Sequence, residues 1–357
     1  MDTANTTVII SLTDFVKKQL PEWYGNGVTL DLSGISLLFY PYSFFLHMPV
    51  LGRSEEKILL AKIKRQPDMG TLAEAIASKR LIKPGQDEYA MTQKIWDVFE
   101  TENSPGCIAV KPIAYLENWN AVLMEKVAGK ALKGFLLHPR IFFRIRDAEE
   151  NLKKLLEASA RWLRVFHDRV SDMQEVSFPL DDIWRDIDES LLRLERYSEG
   201  KVDIGIYRMA FEKALKKIEK QNVPIGIVHD DFHYSNILVT PEHQVCAIDN
   251  AGDYQACAYV DLATLITDPQ TRSLQILTGG AFISSTFIDA CKKIILQAYF
   301  GQHAYSQKVI DFFCALAILN KWSEGLARFS VQRQRRMPAF FLKRIEGYFS
   351  KLLFEYL

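Results

Sequence analysis

The sequence predicts an α+β protein of two lobes, a small one built on an antiparallel sheet and a larger one that is mainly helical. Three observations predict it. The 357 residues suit two lobes at roughly 100 to 200 residues each. Up to about residue 125 apolar, β-prone runs alternate with turn residues, whereas beyond Gly129 a 3.6-residue amphipathic repeat takes over. One short β interlude, 225–248, then interrupts the helices. The boundary is placed so that 1–125 is the sheet lobe and 126–357 the helical lobe.

In the first lobe, residues 34–65 read as three consecutive antiparallel strands, broken at Tyr40-Pro41-Tyr42-Ser43 and at Gly52-Arg53-Ser54-Glu55-Glu56. Asp87 to Glu100 follows as a helix with Tyr89, Ile95 and Phe99 near one face, and Ala121 to Glu125 as a further strand. In the second lobe the helical repeat is strongest over 147–167, 182–197 and 206–221. The interlude is a strand from Ile225 to His229, a polar loop, a strand from Ile237 to Thr240, the turn Pro241-Glu242-His243-Gln244 and a strand from Val245 to Ile248. Helices return from Tyr259 to Leu357.

Composition excludes several classes. Hydrophobic residues are 48% and charged residues 25%, which disfavours disordered, collagen-like and coiled-coil chains. Lys+Arg 44 against Asp+Glu 44 leaves a formal charge of zero, so no global field draws in nucleic acid. The five cysteines are an odd number with no C-x-x-C pair, which reads as free thiols of a reducing compartment. The first residues lack a basic signal-peptide region and no apolar run reaches the ~18 residues of a spanning helix. The expectation is a cytoplasmic protein with no transmembrane segment.

The polar loop of the interlude is His229-Asp230-Asp231-Phe232-His233-Tyr234-Ser235-Asn236, and the strand after the turn ends at Asp249. A tight antiparallel hairpin returns the chain to its start, which is expected to bring Asp249 beside Asp231 and Asn236. Two carboxylates and an amide are oxygen ligands of the kind that suit Mg²⁺.

The pattern H-x-D-x-x-x-x-N followed thirteen residues later by Asp resembles the catalytic core of kinase-like phosphotransferases, and His233 makes it most similar to the aminoglycoside and choline kinase-like branch. Ala258-Tyr259-Val260-Asp261-Leu262-Ala263 resembles that branch's A-Y-D-L-A motif with one extra residue, and Trp162 to His167 its L-x-x-L-H helix. Leu59-Leu60-Ala61-Lys62-Ile63 resembles the strand whose lysine holds phosphates, and Asp87-Glu88-Tyr89-Ala90 the start of the helix that supplies its carboxylate, with Glu74 as the reserve. Val122 to Gly129 resembles the hinge that receives adenine. The resemblance spans about residues 35 to 270.

The resemblance implies a two-lobed protein-kinase-like fold, ATP and Mg²⁺, and transfer of the γ-phosphoryl group to a hydroxyl of a small molecule, sugar or glycan. By the same resemblance Asp231 is the base, Asn236 and Asp249 hold the metal, and Lys62 with Glu88 fixes the triphosphate. Met124, Glu125, Lys126 and Val127 line the adenine, while His229, His233 and Asp261 support the loop. Two departures stand out: Asp230 replaces the branch's glycine, and the phosphate-covering turn Tyr40 to Phe44 has no glycine. They keep open a nucleotide-binding pseudokinase scaffold. A metal-dependent phosphohydrolase with His229, Asp230, Asp231 and His233 as ligands is the other alternative.

The acidic run Asp181, Asp182, Asp186, Asp188 and Glu189 reads as a helix start with a solvated face rather than a wall for a cationic substrate. Arg328, Arg333, Arg335, Arg336, Lys343 and Arg344 with the aromatic residues after them read as a C-terminal helix packed on its lobe rather than a peripheral membrane contact.

Overall fold

The structure is a computed structural model that describes residues 3–52, 57–102, 104–250, 252–333 and 339–357. Residues 53–56 of the expected second turn, and Arg335 and Arg336 of the basic tract, lie outside the described residues. The fold class is α+β, as the sequence predicts, and the chain forms two compact units. The first comprises Met1–Ser104, Ile108–Gly129 and Cys246–Asp253, and the second Pro105–Cys107, Lys130–Val245 and Tyr254–Leu357.

In the first unit the elements are α1 (Thr3–Tyr24), β1 (Thr29–Leu30), β2 (Ser36–Tyr40), β3 (Ser43–Leu51), β4 (Lys57–Lys64), α2 (Leu72–Ala77), α3 (Lys79–Thr101), β5 (Pro112–Leu116) and β6 (Ala121–Glu125). The sheet runs β1-β3-β4-β6-β5, with β2 paired to β3, and its pairs are antiparallel. Strand alternation sorts its residues into two faces. Phe44, Leu46 and Met48 of β3 and Leu59, Ala61 and Ile63 of β4 are buried together with Leu12, Val16 and Leu20 of α1. Those three sit four residues apart, on one stripe of the helix. The sequence reading missed α1, because Thr6-Thr7-Val8-Ile9-Ile10 is a β-branched run that by itself favours a strand.

The opposite face of β4 presents Leu60, Lys62 and Lys64. Helix α3 starts eight residues before the expected Asp87 and takes Pro84 into its second turn, where only one backbone bond is lost. Its buried face is Leu81, Gly85, Glu88, Thr92, Ile95 and Phe99, with Tyr89 half-buried at the edge. Gly85 permits the close approach: a Cβ there would lie 2.6 Å from the buried Asn120 Oδ1.

The second unit contains β7 (Lys130–Ala131), α4 (Leu132–Leu136), α5 (Pro139–Phe142), α6 (Arg146–Val165), β8 (Gln174–Ser177), α7 (Leu180–Ser198), α8 (Ile204–Leu215), β9 (Asn222–Ile227) and β10 (Ile237–Val239). Strand β11 (Val245–Ala247) starts in this unit and passes into the first. Then come β12 (Gln255–Cys257), α9 (Tyr259–Thr267), α10 (Ser273–Leu277), α11 (Ser285–Phe300), α12 (Gln307–Arg333) and α13 (Ala339–Tyr356). Small sheets β12-β9-β8 and β10-β7 frame the loop between β9 and β10. Regular helix α8 stops at Leu215 rather than Gln221, and i→i+3 bonds from Ile218 and Gln221 tighten the chain into β9.

Helix α13 packs through Tyr348, Phe349, Leu352 and Leu353, Tyr348 donating to the Gln270 carbonyl (2.8 Å) and Phe349 stacking on Trp322. Among the described residues no helix is long and apolar enough to cross a membrane.

Leu123 is fully buried and Ile10 is 55% exposed. Leu123→Ala is therefore expected to cost about 2 to 5 kcal/mol in urea unfolding, whereas Ile10→Ala stays within about 0.5 kcal/mol.

Candidate active site

In the first unit the site is built on the face of β4 turned toward α3. Lys62 is buried, and its Nζ lies 2.7 Å from Glu88 Oε1 and 2.7 Å from Asp249 Oδ1. Phe45, its register partner on β3, places a ring 5.7 Å from the same ammonium. Burial works against the charge, but Glu88 and Asp249 more than offset it and hold the lysine well above its usual range. The two carboxylates differ: Glu88 is buried in α3, whereas the Asp249 side chain is 44% exposed on a left-handed backbone. Lys64, two residues along the same face, reaches the second Glu88 oxygen at 3.0 Å. Glu74, the reserve partner, is engaged elsewhere, closing a capping box with Thr71 at the start of α2.

Met124, Glu125, Lys126 and Val127 continue this unit at the end of β6. Met124 stands opposite Leu60, Glu125 N–H donates to the Lys111 carbonyl (2.9 Å), and Lys126 N–H donates to the Ile58 carbonyl (2.8 Å). Burial disfavours the Glu125 carboxylate, yet bonds from Lys57, Tyr24 and Lys111 hold it below the ordinary glutamate range. The turn between β2 and β3 is closed by Arg65 N–H on the Tyr42 carbonyl (2.9 Å), with Tyr40 and Tyr42 exposed.

In the second unit the loop after β9 gathers Asp231, His233 and Asn236. Asn236 Nδ2 donates to Asp231 Oδ2 (2.8 Å), which turns the amide oxygen away from that carboxylate. Ser235 N–H donates to His233 Nδ1 (3.2 Å), so the ring proton sits on Nε2, 3.1 Å from Asp231 Oδ1. Burial holds His233 below its usual pKa against the pull of Asp231, which keeps the ring neutral near pH 7. Both Asp231 oxygens are thus oriented by donors from within the loop, while the side chain stays 53% exposed.

The loop is fastened from below. Asp261, at the start of α9 and fully buried, accepts the N–H of His229 (2.7 Å) and of Asp230 (2.8 Å). His167, where α6 passes into a π-turn, lies 3.1 Å from Asp261 through Nε2 and 2.7 Å from the Tyr299 hydroxyl through Nδ1. The His229 ring is buried among Trp162, Phe166 and Phe232. Arg272 forks onto the buried Asp268 and donates to Ser235 Oγ (3.1 Å), while Tyr234 N–H reaches Asp268 Oδ2 (3.4 Å).

Sequence reasoning assigned no role to His167, Tyr299, Asp268 or Arg272. The i,i+4 spacing of Asp268 and Arg272 was a readable signal, whereas Tyr299 reaches His167 across 132 residues with no local cue.

Asp230, in the place of the branch's glycine, has φ of 68°, the left-handed region that glycine adopts freely and aspartate tolerates. Burial, Asp261 and Asp231 push its carboxyl up to about 6. The acidic run on α7 is partly tied up, Asp182 with Arg185 (2.6 Å) and Asp188 with Arg208 (2.7 Å).

A sequence model of the phosphotransferase enzyme family matches residues 88–277, a little over half of the chain. No curated protein matches it in sequence. Among solved structures the chain is similar to an ethanolamine kinase from Plasmodium vivax, at 13% identity and a TM-score of 0.52, covering 97% of this chain and 91% of that one. A protein assigned as an aminoglycoside phosphotransferase from Ralstonia eutropha aligns at 12% identity and a TM-score of 0.54, over 96% of this chain and 97% of that one. A glucosamine kinase aligns at 10% identity and a TM-score of 0.52, over 92% of each. These likenesses show the fold, which is the protein-kinase-like one.

Because folding raises the pKa of Asp230, the native state binds its proton more tightly than the unfolded chain does. Stability contributed by the neutral form is present below the unfolded value of about 4 and is lost as pH rises to about 6. Asp230→Asn, which tolerates the same backbone, is expected to remove that fall, and urea unfolding of both proteins across pH 4 to 7 checks it.

Proposed function

The chain belongs to the phosphotransferase enzyme family, and on that premise we propose that it transfers the γ-phosphoryl group of ATP to a hydroxyl of a small molecule, sugar or glycan, with Mg²⁺. The observation that carries this reading is the buried Lys62 ammonium, anchored by a buried Glu88 and facing an exposed Asp249. A lysine so desolvated is expensive to bury unless its charge has a permanent partner. Glu88 is that partner, and the contact on the exposed side is one a phosphate oxygen can share.

Lys62 then serves as a point charge on the triphosphate and Glu88 fixes its direction. The Met124–Val127 backbone receives the adenine through the groups that Lys111 and Ile58 do not occupy. The donor set suits magnesium: a half-exposed carboxylate at Asp249 and an Asn236 amide whose nitrogen is already bound, leaving its oxygen as the ligand. Magnesium, when bound there, neutralises charge developing on the β,γ-bridge. Asp231, oriented by His233 and Asn236, accepts the proton of the attacking hydroxyl and directs it at the phosphorus. Asp261 and His229 hold the loop backbone that presents Asp231.

The acceptor is proposed only by class. Zero net charge gives no general attraction for a polycation, which favours a sugar or amino alcohol over a highly charged drug. The five cysteines, all buried, suit a reducing cytoplasmic setting.

Asp231→Asn is expected to lower kcat at least ~10²-fold with Mg-ATP affinity retained, because it removes a proton acceptor and not a phosphate contact. Asp249→Asn is expected to weaken magnesium-dependent nucleotide binding instead. Steady-state kinetics on a panel of alcohols, with nucleotide titrations, separate the two. Equal and small effects from both variants contradict the assigned roles.

A further inference from the structure

The turn that would cover the phosphates, Tyr40-Pro41-Tyr42-Ser43, has no glycine, so its backbone is poorly suited to approach phosphate oxygens closely. Something else has to supply positive contact at that end of β4. Antiparallel register sets Ser43, the closing residue of the turn, directly opposite Lys64. Alternation along β4 puts Lys64 on the same face as Lys62, and both ammoniums meet one carboxylate, Lys62 on Oε1 of Glu88 and Lys64 on Oε2.

The neighbouring basic groups are committed elsewhere. Arg65 donates to the carbonyls of Gln66 and Pro67, and Lys57, at the far end of the strand, to Glu125. Lys64 differs from Lys62 in access: its side chain is 26% exposed against 9%, so it is the more accessible of the two lysines on Glu88. Charge points the same way. Lys62 by itself faces two carboxylates, Glu88 and Asp249, and Lys64 adds a second positive side chain beside any cation that Asp249 would hold.

We propose that Lys64 is a second triphosphate-binding residue, taking over at the Tyr40–Ser43 turn the positive contact that backbone N–H groups of a glycine-bearing turn would give. It rests on the proposed reading of Lys62 as a triphosphate contact.

The test is equilibrium titration of the full chain with ATP, ADP and AMP in Mg²⁺ by calorimetry, for the wild type, Lys64→Gln and Lys64→Arg. Loss of one charge-assisted contact predicts that Lys64→Gln weakens ATP about tenfold and AMP less than about twofold, with Lys64→Arg within about threefold of wild type. A second readout needs no variant: ATP, and AMP much less, should protect Lys64 of the wild type from acetylation, read by peptide mass spectrometry. Weakening of ATP and AMP by the same factor, unchanged ATP binding in Lys64→Gln, or equal protection by both nucleotides overturns the inference while leaving Lys62 untouched. A wild type that binds no nucleotide overturns the phosphotransfer reading itself and this inference with it.

Discussion

The contact between the Lys62 ammonium and Glu88 is a buried charge pair on which the arrangement of β4 against α3 depends. A strand and a helix meet there through a charge pair that water scarcely reaches. Taking one member away leaves the other desolvated, at a cost of about 3 to 5 kcal/mol in comparable buried pairs. The geometry of β4 against α3 is therefore tied to two side chains, while Gly85 on the same helix face lets α3 lie close to Asn120, just before β6. Packing of α1 on the far side of the sheet keeps the apolar face of β4 occupied, so the charged face is the one left for chemistry.

The second unit meets a different requirement, holding a loop rather than a charge. Two consecutive N–H groups, of His229 and Asp230, end on one fully buried carboxylate, that of Asp261. That carboxylate is backed by His167 and Tyr299, while Arg272 and Asp268 grip the loop further along. The left-handed backbone at Asp230 is sustained by this bracing. Asp231 itself is left half-exposed, with its two oxygens oriented by neighbours in the loop, an arrangement in which the support is rigid and the working group open.

Much of this was legible in the sequence because it depends on short-range periodicity. The three strands from Ser36 to Lys64, the strand Ala121–Glu125 and the long helices of the second unit follow from alternation and from the 3.6-residue repeat. The pairing of Lys62 with Glu88 came from the family resemblance and not from periodicity, and the structure joins the two at 2.7 Å; their part in holding phosphate is the proposal made above. Helix α1 escaped notice because its β-branched residues argue locally for a strand and only the sheet beneath settles the matter. Tyr299 escaped because its partner is a long-range one. The sharing of Glu88 between Lys62 and Lys64 was hidden because strand alternation puts both lysines on one face but does not fix how far each ammonium reaches.

The measurement that bears most directly on the central claim is electron density from crystals grown with Mg²⁺ and a non-hydrolysable ATP analogue. The account predicts phosphate oxygens within hydrogen-bond distance of Lys62 Nζ and a cation bound by Asn236 and Asp249. Nucleotide seated away from Lys62, or a cation on other residues, would contradict it.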